Sequence, residues 1–144
     1  MTTYNKIDGI KEISGWLKTG LNKEAILFAE SFGGWLAQNQ LTTTQIRNIY
    51  GEIKRIQMRG AAEFNDADAL LLKPKLAYAR ARSSGQKSRE ALTSLAEIMN
   101  AGIDAVFDEK GEINFNAEIK FSRFDNFALF FEAVIAYHRS QGGK

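Results

Sequence analysis

The sequence predicts an all-α protein, a single compact helical bundle of four to five main helices, and three observations carry that prediction. There is one proline in 144 residues, so almost nothing breaks a helix from within. The alternation of apolar and polar residues that marks a half-buried strand is hard to find, whereas apolar residues recur three and four apart along most of the chain. Hydrophobic residues make up 44% and charged residues 25%, the composition of a globular domain rather than of a disordered chain. A domain of this size buries about 70% of its unfolded surface, enough for one core without a disulfide or metal staple.

The first segment places Ile7, Ile10, Ile13 and Leu17 on one helical face beside Trp16, but Gly15 and Gly20 weaken the pattern. Residues 1–21 are therefore expected to form a short helix or packed arm ahead of a bundle domain over 22–144. Asn22 caps a clearer helix that runs to about Gln40, with Ile26, Ala29, Phe32, Trp35 and Leu36 inward. Inside it, Gly33-Gly34 costs about 1 kcal/mol per glycine relative to alanine. Such a pair gives room for either a neighbouring helix or a partner subunit.

Thr42-x-x-Gln45 has the form of a capping box, and Leu41 with Ile46 supplies the matching hydrophobic staple. The helix that follows, to about Arg59, turns Ile46, Ile49, Tyr50, Ile53 and Ile56 to one face. Arg47, Gly51, Lys54 and Met58 form the opposite stripe, flanked by Arg55. Gly60 to Asp68 reads as a connection, with Asn65 or Asp66 capping what comes next. Pro74 sets a bend or fresh start within the stretch beginning Leu70-Leu71-Leu72. A helix then continues to about Arg82, carrying Lys75, Tyr78, Ala79 and Arg82 on one side. Ser83-Ser84-Gly85-Gln86 is a turn. Ser88 to Phe107 reads as a long helix with a core face of Leu92, Leu95, Ala96, Met99, Ile103 and Val106. Asp108 to Lys120 is acidic and weakly patterned, as a mobile loop would be. Ser122-x-x-Asp125 resembles a second box, starting a last helix with Phe124, Phe127, Phe130, Phe131, Val134, Ile135 and Tyr137. That arc is wider than one packing face needs. It marks the central helix of the bundle, or a seam that also meets a partner, and the central helix is the favoured reading. The chain is expected to end in a frayed tail from Gln141.

Several kinds of chemistry are excluded or poorly supplied. With no cysteine, disulfides, thiolate catalysis and zinc–sulfur sites fall away. The opening MTTYNKIDGIKEI lacks the basic-then-apolar layout of a signal peptide, and no apolar run has the length to span a bilayer. A soluble, cytoplasmic protein with no membrane partner is expected. The single histidine, His138, reads as a favourable cation at a helix C-terminus; as the general base of a metal-independent ribonuclease it has no neighbouring acid. Asp66 and Asp68, or Asp108 and Glu109, lack metal-ligand spacing. No catalytic residue, metal or cofactor is expected.

Charge is more informative. From Arg47 to Arg89 ten basic residues stand against four acidic ones, a net +6 in a chain whose total is +2. A polyanion-facing surface fits that asymmetry, and so does a solvated helix face. Tyr50 and Tyr78 are the aromatic residues near the basic stripe; both read as core-edge residues with the hydroxyl in water rather than as base-stacking platforms. Contact with a nucleic-acid backbone, with little base reading, is the expected mode. A DNA-reading helix-turn-helix would carry polar base-reading residues on its recognition helix, where Arg47–Arg59 has mostly cations.

Three ordered stretches, Leu41–Tyr50 (LTTTQIRNIY), Leu70–Arg82 (LLLKPKLAYARAR) and Phe124–Lys144 (FDNFALFFEAVIAYHRSQGGK), resemble the small subunit of type III-A CRISPR–Cas effector assemblies, the Csm complex. The resemblance spans about residues 22–144. It implies a helical subunit of an antiviral complex without nuclease activity of its own. Copies would stack head to tail into a filament, or pair as a dimer, beside the crRNA-bearing subunits, lining the channel that holds crRNA and target RNA. RNA cleavage and polymerase-like chemistry would belong to other subunits. It also implies RNA-contacting roles for Arg47, Lys54, Arg55, Lys73, Lys75 and Arg82, with Arg59 and Arg80 in weaker motif context. The alternative is a helical adaptor that meets only other protein subunits through its basic face.

Overall fold

The computed structural model describes residues 4–107 and 117–144. Among these residues seven α-helices follow one another: α1 (Lys6–Thr19), α2 (Lys23–Gln38), α3 (Thr43–Arg59), α4 (Asp66–Leu70), α5 (Leu72–Arg82), α6 (Gln86–Val106) and α7 (Ala117–Ser140), with a 3-10 turn at Ala61–Glu63. No strand occurs among the described residues. The all-α expectation holds, but the count differs. Six helices have eleven residues or more, because the 6–19 segment is a helix of fourteen residues and 72–82 is a helix of its own.

Local chemistry starts most of them. Asn5 Oδ1 accepts from the Ile7 amide (3.0 Å), Asn22 Oδ1 from Ala25 (2.9 Å) and Asn65 Oδ1 from Ala67 (2.8 Å). Each satisfies an amide that the first turn leaves without a helical partner, worth about 1 kcal/mol. The capping box of α3 is complete: Gln45 N donates to Thr42 Oγ1 (3.1 Å) and Thr42 N donates to Gln45 Oε1 (2.9 Å). Leu41 and Ile46, the staple, are both buried. Pro74 is the third residue of α5, within the first turn, where a missing N–H removes no helical bond. The break itself falls at Leu71.

Helix α7 is the centre of the bundle, packing against α1, α2, α3, α6 and the 3-10 turn. Phe124, Phe127, Phe130, Phe131 and Val134 are fully buried, so its wide apolar arc faces inward. Gly33 shows how closely α2 approaches it. A Cβ there would stand 2.6 Å from the Val134 carbonyl oxygen and 2.8 Å from the His138 amide nitrogen, so this glycine makes room for a neighbouring helix, while a Cβ at Gly34 would meet the Gln141 side chain. Helix α1 packs on α6 with Ile13, Trp16 and Leu17 buried, and Asn126 Nδ2 of α7 donates to the Leu17 carbonyl (2.9 Å).

Three expectations need correction. Helix α7 starts at Ala117, not at Ser122, and Asp125 is no cap: it accepts from Gln57 Nε2 (2.7 Å), joining α7 to α3. The added turn is held by tertiary contacts, the Phe121 ring against Phe64 and Lys120 Nζ on Asp66 (3.0 Å). The remainder of the expected acidic loop, residues 108–116, lies outside the described residues. The C-terminal tail is folded rather than frayed. Gly142 takes φ 93°, its amide donates to the Arg139 carbonyl (3.2 Å), and the Gly143 amide donates to the His138 carbonyl (2.8 Å). That pair of bonds is a Schellman cap, which needs a residue tolerant of positive φ.

Candidate nucleic-acid interface

The geometry of the basic segment follows from which face of each helix is buried. In α3, Ile46, Ile53 and Ile56 point into the core; in α5, Leu72 and Leu76 do. At about 100° per residue, Gln45, Asn48 and Glu52 then flank the α3 core face on the side of α5. Lys75, Tyr78 and Arg82 flank the α5 core face on the side of α3. Between the two helices lies an open groove of about 380 Å³, lined by Gln45, Asn48, Ile49 and Glu52 from α3 and by Lys75, Tyr78, Ala79, Arg82 and Ser83 at α5.

The eight basic residues singled out from the sequence do not share one surface. Lys75 and Arg82 line the groove. Arg55 and Arg59 lie on the same flank of α3; Arg55 pairs with Glu52 and Arg59 with Asp68 at α4. Arg47 and Lys54 fall on the other flank of α3, with no ion pair among the described residues. Lys73 and Arg80 sit on the opposite flank of α5, where Lys73 pairs with Asp104 of α6.

Glu52 organises the groove. Its Oε2 accepts from Lys75 Nζ (2.8 Å) and also meets Arg55. The hydrogen bond from Lys75, assisted by both positive charges and opposed by partial burial, holds its carboxyl below the usual carboxylate range. The Arg55 contact is legible in sequence as an i, i+3 pair. The Lys75 contact requires knowing that α3 and α5 are neighbours.

The two tyrosines part company. Tyr50 is half-buried and its hydroxyl donates to Glu132 Oε1 (3.2 Å), close to the core-edge expectation. Burial, then the Glu132 charge, raises its hydroxyl pKa above the ordinary value. Tyr78 departs from that expectation: it is 64% exposed at the groove rim, with the Arg82 guanidinium 5.3 Å from its ring centroid. Its angular position explains the difference, since Tyr78 lies with Lys75 and Arg82 rather than with Leu72 and Leu76.

His138 stands in the last turn of α7, the helix end expected for it, but inside the core. It is fully buried, and its Nε2–H donates to the Leu41 carbonyl (2.6 Å), the carbonyl being able only to accept. Gly143 lies against its ring, where a Cβ would collide with it. An imidazole buried in this way, with Nε2 hydrogen-bonded and Nδ1 covered, is not a base open to substrate. Among the described residues no group of three or more histidine or acidic side chains is placed to hold a metal, and no helix is long and apolar enough to cross a membrane. A second groove, between α1 and α2, sets Asp8, Glu12 and Glu24 around Trp16, Leu27 and Phe28; sequence periodicity did not point to it.

Fold and site together define an all-helical bundle with an open, cation-rimmed groove. The sequence matches the family described as Csm2 Type III-A over residues 22–144. The chain belongs to that family, and so is a small subunit of the type III-A Csm effector complex, with the other subunits of the complex as its partners. No curated protein and no solved structure gives a significant match.

Proposed function

We propose that this small subunit is non-catalytic and serves the complex by holding RNA, crRNA and target together, through sequence-independent backbone contacts in cytoplasmic antiviral defence. The observation that carries the reading is the net +6 between Arg47 and Arg89, eight of whose ten basic residues stand on α3 and α5, the two helices that bound an open groove. Arg55 on the groove flank of α3, Arg47 and Lys54 on its other flank, and Lys75 and Arg82 on α5 are the phosphate ligands. Arg59 contributes at the α3 end after leaving Asp68, and Lys73 and Arg80 extend the positive field behind α5. Each subunit alone holds RNA weakly; stacking of copies into a filament multiplies the contacts.

Affinity for single-stranded RNA as a function of salt tests this. Neutralised phosphates release counterions, so the log–log slope should fall by about 0.7 for each contact removed. The Arg47→Ala/Lys54→Ala variant should bind more weakly with a slope shallower by about 1.4. An unchanged slope and affinity removes those residues from the interface. The adaptor reading draws on one observation, that Arg55, Arg59, Lys73 and Lys75 already meet carboxylates of this chain, as they would on an acidic protein partner. Absence of any RNA mobility shift with the purified chain would favour it.

A further inference from the structure

We infer that the α3/α5 groove is a seat for one unpaired nucleotide, its base stacked on Tyr78 and its phosphate taking the place of the Glu52 carboxylate beside Lys75 and Arg55. The inference rests on the RNA-binding reading and adds to it a base contact and a unit of recognition. Five observations converge. Tyr78 presents most of its ring to solvent from a helix whose other large apolar side chains at that level are buried. Its companion is Arg82, over the ring at 5.3 Å, and a guanidinium stacks on an aromatic face as a base does. Lys75 lies one turn before Tyr78 on the same side of α5, so a cation and an aromatic face stand at neighbouring positions along the groove. Glu52 already sets one carboxylate oxygen, Oε2, against both Lys75 Nζ and Arg55, an anion where a phosphate would sit. The amides of Asn48 and Gln45 line the α3 wall and can both donate to and accept from a base edge without selecting one base strongly.

Size fits one residue of RNA. Small-ligand sites run from about 300 to 1,000 Å³, and the groove, at about 380 Å³, stands near the lower end. A base in a duplex has both faces covered by its neighbours and cannot reach Tyr78, so the seat discriminates by pairing state rather than by sequence.

The test uses the intact chain and a short single-stranded RNA carrying one 2-aminopurine, whose fluorescence is quenched on stacking, together with the same RNA holding an abasic residue at that position and its duplex form. Wild type should quench the probe and bind the base-bearing strand at least about five-fold more tightly than the abasic one. Tyr78→Phe should behave as wild type. Tyr78→Ala, at an exposed position where folding is not at risk, should lose the quenching and bind both strands alike. Duplex affinity should be the same for all three proteins. If Tyr78→Ala quenches and discriminates as wild type does, the seat is refuted while backbone binding stands. If wild type binds none of the RNAs, the RNA-binding reading is refuted and the seat with it.

Discussion

Glu52 gives the sharpest quantitative handle on the groove, because it occupies the cations that RNA would need. In Glu52→Gln the carboxylate is replaced by an amide of the same shape, and Lys75 and Arg55 lose their anion. The side chains of Glu52, Lys75 and Arg55 are 31%, 49% and 63% exposed, so each pair is worth about 0.5 kcal/mol rather than several. RNA binding to wild type must break both pairs, about 1 kcal/mol together. It must also bring a phosphate near a remaining carboxylate; at about 6 Å and an effective dielectric of about 80 this repulsion is roughly 0.7 kcal/mol before screening. The variant should therefore bind single-stranded RNA about 10-fold more tightly at low salt, with the gain shrinking as salt rises. Glu24→Gln on α2 makes the same change in net charge far from α3 and serves as the control, so fluorescence anisotropy across a salt series on both variants isolates the local effect. Equal gains in the two variants would refute competition by Glu52. Stability should move the other way, by no more than about 1 kcal/mol. Because the folded-state pKa of Glu52 lies below its ordinary value of 4.5, its stabilising contribution is full above that value and is lost as pH falls through the depressed folded pKa. Wild type should thus be slightly more stable than Glu52→Gln at neutral pH, and the difference should vanish in acid.

Three further outcomes probe the frame that holds the groove. Gly33→Ala forces a methyl group onto the α7 backbone and should lower stability by about 1–3 kcal/mol in urea unfolding, whereas Gly15→Ala, whose Cβ would meet nothing within 4 Å, should raise it by roughly 0.5–1 kcal/mol; the reverse order would refute the α2–α7 crossing. Leu17→Ala should destabilise by about 2–5 kcal/mol, because Leu17 is fully buried beneath α6 and α7; a loss under about 0.5 kcal/mol would mean that α1 is a dispensable arm. Burial raises the Tyr4 hydroxyl pKa to about 12, so stability should be full below pH 10 and fall as pH rises from about 10 toward 12. Tyr4→Phe should flatten that fall in chemical unfolding measured across the range.

What could be read from the sequence divides along the reach of the interactions involved. The α3 cap, its staple and the α2 glycine pair are legible because their partners lie within five residues, or because one backbone property is visible in the residue itself. The end of α7 carries a similar signal: Gly142-Gly143 directly after a helical run is the composition of a Schellman cap, and a tail turned back there covers His138. The extra first turn of α7 was not legible, since Phe121 and Lys120 are held by Phe64 and Asp66, more than fifty residues away. The groove falls between these cases. Its α5 wall was readable as a stripe of Lys75, Tyr78 and Arg82, but the stripe could not say what faced it. Only the packing of α5 beside α3 sets Glu52 among those cations, and it is that placement which turns a row of solvated charges into a compartment with an anion already inside it. A purely electrostatic surface would gain from every added cation and lose with every removed one. A surface built around Glu52 and Tyr78 responds more strongly to two side chains that are not cations at all.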